Sequence, residues 1–157
     1  MGTRRRAREL ALRYLYAAEL SENPISEIIA NSFQKRDDED HTIEFCTRLI
    51  EKTYEHYDEF DTVIKIKALN WDFKRIAIID LIILRMAMCE FLYFDDIPPK
   101  VSIDEAIEIS KKYSTEKSGK FINGILDSVL SEWKTTKKIK KSGRGLINNK
   151  NKKNEHF

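Results

Sequence analysis

Residues 76–94 read IAIIDLIILRMAMCEFLYF. The run is long enough to cross a bilayer, so its charges decide the fold. Asp80, Arg85 and Glu90 interrupt it at five-residue spacing. At about 100° per residue they point in three directions, and no lipid-facing side stays free of charge. The stretch therefore reads as the central helix of a soluble bundle. Its predicted extent is Trp71 to Phe94, closed by Asp95-Asp96 and Pro98-Pro99.

Working outward, every neighbour is helical. Ala7, Leu10, Ala11, Tyr14, Leu15 and Ala18 follow the i, i+3, i+4 spacing of an amphipathic helix. A second line, Leu12, Tyr16 and Leu20, falls on nearly the opposite side. Asn23-Pro24 ends that helix, because the residue before a proline avoids the helical region. Residues 25–35 form a short helix, the charged KRDDED at 35–40 a connector, and residues 41–57 a third helix. A short segment begins near Asp61. Downstream, Ser102 and Glu105 stand three apart as a capping box, with Val101 and Ala106 as its hydrophobic staple. Ser118 is placed to cap a last helix running to Trp133. With only 5 Gly and 3 Pro, turns are too few for a sandwich or barrel. The fold class is all-α, a bundle of about seven helices.

The net charge of +2 is unevenly spread. Residues 134–157 hold nine Lys or Arg against one acid, so the first 133 residues are net acidic despite Arg4, Arg5, Arg6 and Arg8. An acidic body with basic ends suggests a local polyanion site. Residues 1–133 are read as one helical domain and 134–157 as a basic, disordered tail. Cys46 and Cys89 each lie in an apolar helical pattern, which predicts buried free thiols and a reducing, cytoplasmic compartment. The first apolar stretch carries Arg13 and Glu19, the pattern of a core helix and not of a cleaved leader.

Catalytic chemistry is not visible. His41, His56 and His156 lack the second His or Cys that a zinc site requires at helical spacing. Ser118-Gly119-Lys120 lacks the upstream glycine and the strand of a phosphate loop. No catalytic residue, metal site or cofactor is expected.

Binding chemistry is better represented. Arginine offers a planar fork of donors that suits phosphate. On a helix Arg4, Arg5 and Arg8 lie within about 100° of one another, while Arg6 points away. Arg8 sits at the edge of the core stripe, so the first turn is expected to project beyond the body or stay unwound. The same charges would also serve as a solvated surface on a purely protein-binding bundle. In KSGKFING, residues 117–124, Ser118 and Gly119 are expected to leave free amides at a helix start, next to Lys120. Phe121 lies roughly 110° from its core stripe. It fits a base-stacking residue and a peripheral core residue equally well.

RRRARELALRYLY (4–16), followed by residues 76–130 in order and with similar spacing, closely resembles the NusB family of bacterial transcription antitermination factors. The resemblance implies two packed three-helix sub-bundles joined through the central helix. It implies binding of the boxA element of ribosomal RNA leader transcripts jointly with NusE, a small-subunit ribosomal protein, within an RNA polymerase antitermination complex. The RNA-facing residues would be Arg4, Arg5, Arg6 and Arg8, with Lys120, Phe121 and Asn123. The NusE-facing surface would include Tyr16, Asp80 and Arg85. A homodimer of the free protein over the Leu12–Tyr16–Leu20 line stands as an alternative to burial of that line between sub-bundles. Two departures stand out: the basic tail, and Ser114-Thr115-Glu116 where relatives often carry a glycine. The fold also occurs ahead of ribosomal RNA cytosine methyltransferases, but 157 residues leave no room for such a domain.

Overall fold

A computed structural model describes residues 3–33, 39–69, 71–139 and 141. Seven α-helices follow one another, and no strand occurs among the described residues: α1 (Thr3–Leu20), α2 (Ile25–Phe33), α3 (Asp40–Glu55), α4 (Tyr57–Lys67), α5 (Ile78–Tyr93), α6 (Pro99–Tyr113) and α7 (Glu116–Thr135). A 3-10 turn, Phe73–Arg75, precedes α5. Helices α1, α2 and α3 pack together, as do α5, α6 and α7. Helix α4 lies on α5 and α7, while α1 and α3 both reach α5.

The central position of α5 follows from its composition. Every residue from Asp80 to Phe91 is buried, which a helix tolerates only when apolar groups face all directions. Its three charges are buried as well, and each finds a partner on different helices. Asp80 Oδ2 accepts from Ser118 Oγ on α7 at 2.8 Å. Arg85 donates to both Asp61 oxygens on α4, at 2.7 and 2.9 Å, and to Glu19 Oε1 on α1 at 3.0 Å. Glu90 accepts two bonds from Arg8 on α1, both 2.8 Å, and one from Ser102 Oγ on α6, also 2.8 Å. The five-residue spacing that argued against a membrane thus places one charge at each of three contacts. No helix among the described residues is long and apolar enough to cross a membrane.

Several element ends differ from the sequence expectation. Helix α5 starts at Ile78 and not at Trp71, because Asp72 Oδ1 accepts from the Lys74 amide at 3.1 Å and fixes the 3-10 turn instead. The capping box at Ser102 does not form. Pro99 already occupies the first turn of α6, where its missing N–H costs nothing, so Ser102 lies inside the helix and bonds Glu90. Val101 is exposed, so it makes no staple. The cap of α7 is Thr115, whose Oγ1 accepts from the Ser118 amide at 3.3 Å. Helix α4 begins at Tyr57, ahead of the expected Asp61.

Helix α7 continues past Trp133 to Thr135, so the boundary drawn at residue 133 falls within it. It then closes by two reverse bonds, Lys138 N–H to Trp133 O at 2.9 Å and Lys137 N–H to Lys134 O at 3.2 Å. This Schellman closure needs a left-handed residue, and Lys137 supplies it at φ 60°. Ile139 and Lys141 then pack on the body. Lys141 Nζ donates to the carbonyls of Glu90 and Ile97, both at 2.6 Å, and burial pushes its ammonium down to about 8. Residues 140 and 142–157 of the expected basic tail lie outside the described residues.

Cys46 and Cys89 are buried free thiols, as expected from their apolar surroundings. Burial pushes the Cys89 thiol up to about 12, which suppresses thiolate chemistry.

Candidate nucleic-acid interface

The arginines of α1 form a graded series. Helix α1 starts at Thr3 and its first turn is docked, neither projecting nor unwound. Arg4 is half exposed, donates to Asp96 Oδ2 at 2.6 Å, and lies 4.9 Å over the Phe45 ring. Arg5 grips Glu105 of α6 with two bonds of 2.8 Å. Arg8 is 4% exposed and grips Glu90 in the same two-pronged way. Its guanidinium also lies 3.8 Å from Glu105 and 5.5 Å from the Phe45 ring. Arg6 is half-buried and engaged in contacts of its own. Cations at a helix amino terminus oppose the helix dipole, and the carboxylates of Asp96, Glu105 and Glu90 offset that repulsion.

The first two pairs are exchangeable and the third is not. The Arg4 pair is exposed and contributes little, so Arg4 loses little by trading a carboxylate for a phosphate, and the Arg5 pair, though part-buried, still reaches solvent. A buried guanidinium bonded twice to a buried carboxylate cannot leave without stranding that charge. Arg8 therefore holds α1 against α5 and α6. The hydrogen bond from Arg5 holds the Glu105 carboxyl below its usual range, and Arg4 does the same for Asp96. Arg4, Arg5 and Arg8 line an open cleft of about 360 Å³ together with their partners Asp96 and Glu105 and with Ile97, Pro98 and Val101.

The start of α7 presents the second group. Ser118 and Gly119 are buried, and the Ser118 amide is satisfied by Thr115, so Ser118 does not offer the free amide expected of a phosphate site. A Cβ on Gly119 would meet Ser110 Oγ at 3.6 Å, which shows how closely α7 approaches α6. Lys120 and Asn123 are exposed, and Phe121 is half-buried. A Cβ at Gly124 would meet nothing within 4 Å, so this flank of α7 is open. Phe121 packs edge-on against Trp71, with ring centroids 5.2 Å apart. Trp71 was not expected at the site, because the apolar pattern absorbed it into the central helix.

The residues expected to face a protein partner are spread in depth. Tyr16 is half-buried on the outer line of α1, where Leu12 is buried and Leu20 is 69% exposed. Asp80 and Arg85 are both buried, and their side chains are committed to Ser118 and to Asp61 and Glu19. The Arg85 guanidinium also lies 4.1 Å over the Tyr57 ring. In this arrangement they position the surface from beneath. Around Ala18 and Glu19, just beyond Tyr16, lies an open cavity of about 360 Å³ completed by Tyr54, Glu55, Tyr57 and Asp58. Its acidic rim was missed in the sequence because its members come from three helices. Among the described residues no cluster of metal-binding side chains exists.

A family model described as the NusB family matches residues 5–131. The transcription antitermination protein NusB of Salinibacter ruber is 43% identical over 148 residues, covering 94% of this chain and 92% of its own. The solved NusB of T. maritima superposes with a TM-score of 0.75 at 35% identity, covering 82% of this chain and 91% of that one. A structure of the antitermination factors NusB and NusE in complex with double-stranded RNA contains a chain of like fold, with a TM-score of 0.74 at 24% identity and coverage of 83% and 97%.

Proposed function

Because the chain belongs to the NusB family, we propose that it is a transcription antitermination factor that holds boxA RNA of ribosomal RNA leaders together with the NusE ribosomal protein. The observation that carries the RNA part is the paired arginine cleft. Arg4 and Arg5 exchange carboxylate partners for phosphates, and Arg6 adds charge at the same helix start. Arg8, locked to Glu90, keeps the helix bearing them in place. Lys120, Phe121 and Asn123 form the second contact. The protein acts by assembly and not by catalysis: binding energy brings RNA and NusE into the RNA polymerase antitermination complex, in the cytoplasm.

NusE engages the face that carries Tyr16, and the acidic rim of Glu19, Glu55 and Asp58 suits a basic protein. Asp80 and Arg85 support that face from the interior. The exposed end of the α1 line at Leu20 is open to self-association in the free protein, which NusE would displace. Sedimentation with and without NusE reads that exchange directly.

The RNA reading is tested by fluorescence anisotropy of a boxA RNA against a scrambled one, with and without NusE. Arg4→Ala and Arg5→Ala are each expected to reduce the slope of log affinity against log salt by about one. Equal affinity for both RNAs under every condition would remove the sequence-specific part. Unchanged RNA affinity in both arginine variants would favour a purely protein-binding bundle.

A further inference from the structure

Trp71 is 61% exposed, whereas the chain's other tryptophan, Trp133, is 3% exposed. Large aromatic rings dominate burial energy, so one left in water calls for a reason. The Trp71 ring meets Phe121 edge-on at 64°, a contact that covers little of its surface. Lys120 is the exposed neighbour of Phe121 on α7. Further cationic and aromatic groups lie beside Arg5. Along the α1–α6 face Lys112 bonds Glu9 at 2.7 Å, and Arg13 lies 5.8 Å over the Tyr113 ring, just before the turn into α7.

We infer that Trp71 and Phe121 form a stacking platform for an unpaired base of the bound RNA, with Lys120 beside it for the adjoining phosphate. The inference rests on the RNA-binding reading above and adds Trp71 to the second RNA contact. An aromatic face beside an amine is the usual holder of a single-stranded base, and it tolerates any base because every base has a π-face. A protein partner would be served by the exposed apolar Ile66 and Leu69, with no need of Lys120.

The test uses the full chain and unlabelled boxA RNA, reading tryptophan emission, alongside anisotropy of labelled RNA. The two tryptophans separate cleanly, since only Trp71 is accessible. RNA is expected to quench the emission of the native chain. Trp71→Phe should lose the quench yet bind within about threefold, because phenylalanine still stacks. Trp71→Ala should bind roughly 5- to 100-fold more weakly with an unchanged salt slope, since no charge is lost. Quenching that persists in Trp71→Phe, or binding within twofold in Trp71→Ala, overturns the inference while leaving the RNA reading intact. Loss of NusE binding with RNA affinity unchanged would assign the platform to the protein partner and likewise overturn it. No RNA binding by the native chain overturns both. Should Trp71→Ala melt early, boxA RNAs carrying one abasic sugar at a time replace it. One position must then abolish the quench, and uniform quenching at all positions refutes stacking.

Discussion

Replacing Arg8 by alanine separates a structural arginine from an RNA-binding one. Arg8 and Glu90 are 4% and 2% exposed, and two bonds of 2.8 Å join them. Removing one partner of a buried pair leaves the other charge without compensation, at about 3–5 kcal/mol. Glu90 would keep only the Ser102 hydroxyl at its side chain. In a chain of this length each kcal/mol moves the melting temperature by about 2–4 °C, so Arg8→Ala should melt about 6–20 °C lower. Urea unfolding followed by circular dichroism gives the same quantity from the midpoint at constant slope. Arg4→Ala, whose partner is exposed, should stay within about 0.5 kcal/mol of the parent. The double change Arg8→Met with Glu90→Gln removes both charges and keeps an acceptor for Ser102, so most of the loss should return. A single Arg8→Ala variant within about 1 kcal/mol of the parent would refute the buried lock and restore Arg8 to the group free to contact RNA.

Three further outcomes follow from other contacts. Ser118→Ala removes the hydrogen bond to the buried Asp80 carboxylate, whose Oδ1 has no partner among the described residues, and should cost about 1–3 kcal/mol in denaturant unfolding. Lys137→Gly relieves a left-handed lysine at the close of α7 and should raise stability by up to about 1 kcal/mol, read as a higher melting temperature. Glu105 and Asp96 have folded pKa values below their ordinary ones, so their contribution is complete above the ordinary carboxylate range and fades as pH falls through the lowered values. Stability measured from pH 6 down to 2 should therefore fall less steeply in Arg5→Ala than in the parent, and parallel curves would show that the Arg5–Glu105 pair contributes nothing.

The sequence made the helices legible because each carries its own apolar period, and it made α5 central because apolar residues surround it. Charge partners were not legible, since Arg8 and Glu90 are far apart in the chain and only the packing of α1 on α5 joins them. The angle that put Arg8 at the edge of the core stripe was the available hint. Helix starts were misjudged where two hydroxyls stood three apart. Thr115 and Ser118 both fit a cap locally, and the Asp80 carboxylate on a distant helix draws the Ser118 hydroxyl away. Trp71 escaped notice for a related reason. Apolar periodicity extends through it, while Asp72 silently breaks the helix one residue later.

The three charged contacts of α5 also make it a ruler. Slipping the helix by one residue would rotate it by about 100° and slide it about 1.5 Å, pulling Asp80, Arg85 and Glu90 from their partners together. Stranding three buried charges would cost about as much as the whole stability of a domain, so intermediate positions are closed to it. Arg8 is fastened near one end of this ruler and Ser118, three residues before Phe121, near the other. Asp80 and Glu90, the two points of attachment, are ten residues apart on α5, a span of roughly 15 Å. On the proposed reading, the two RNA contacts stand at a set distance, and it falls to the strand, not the protein, to adjust its length between them.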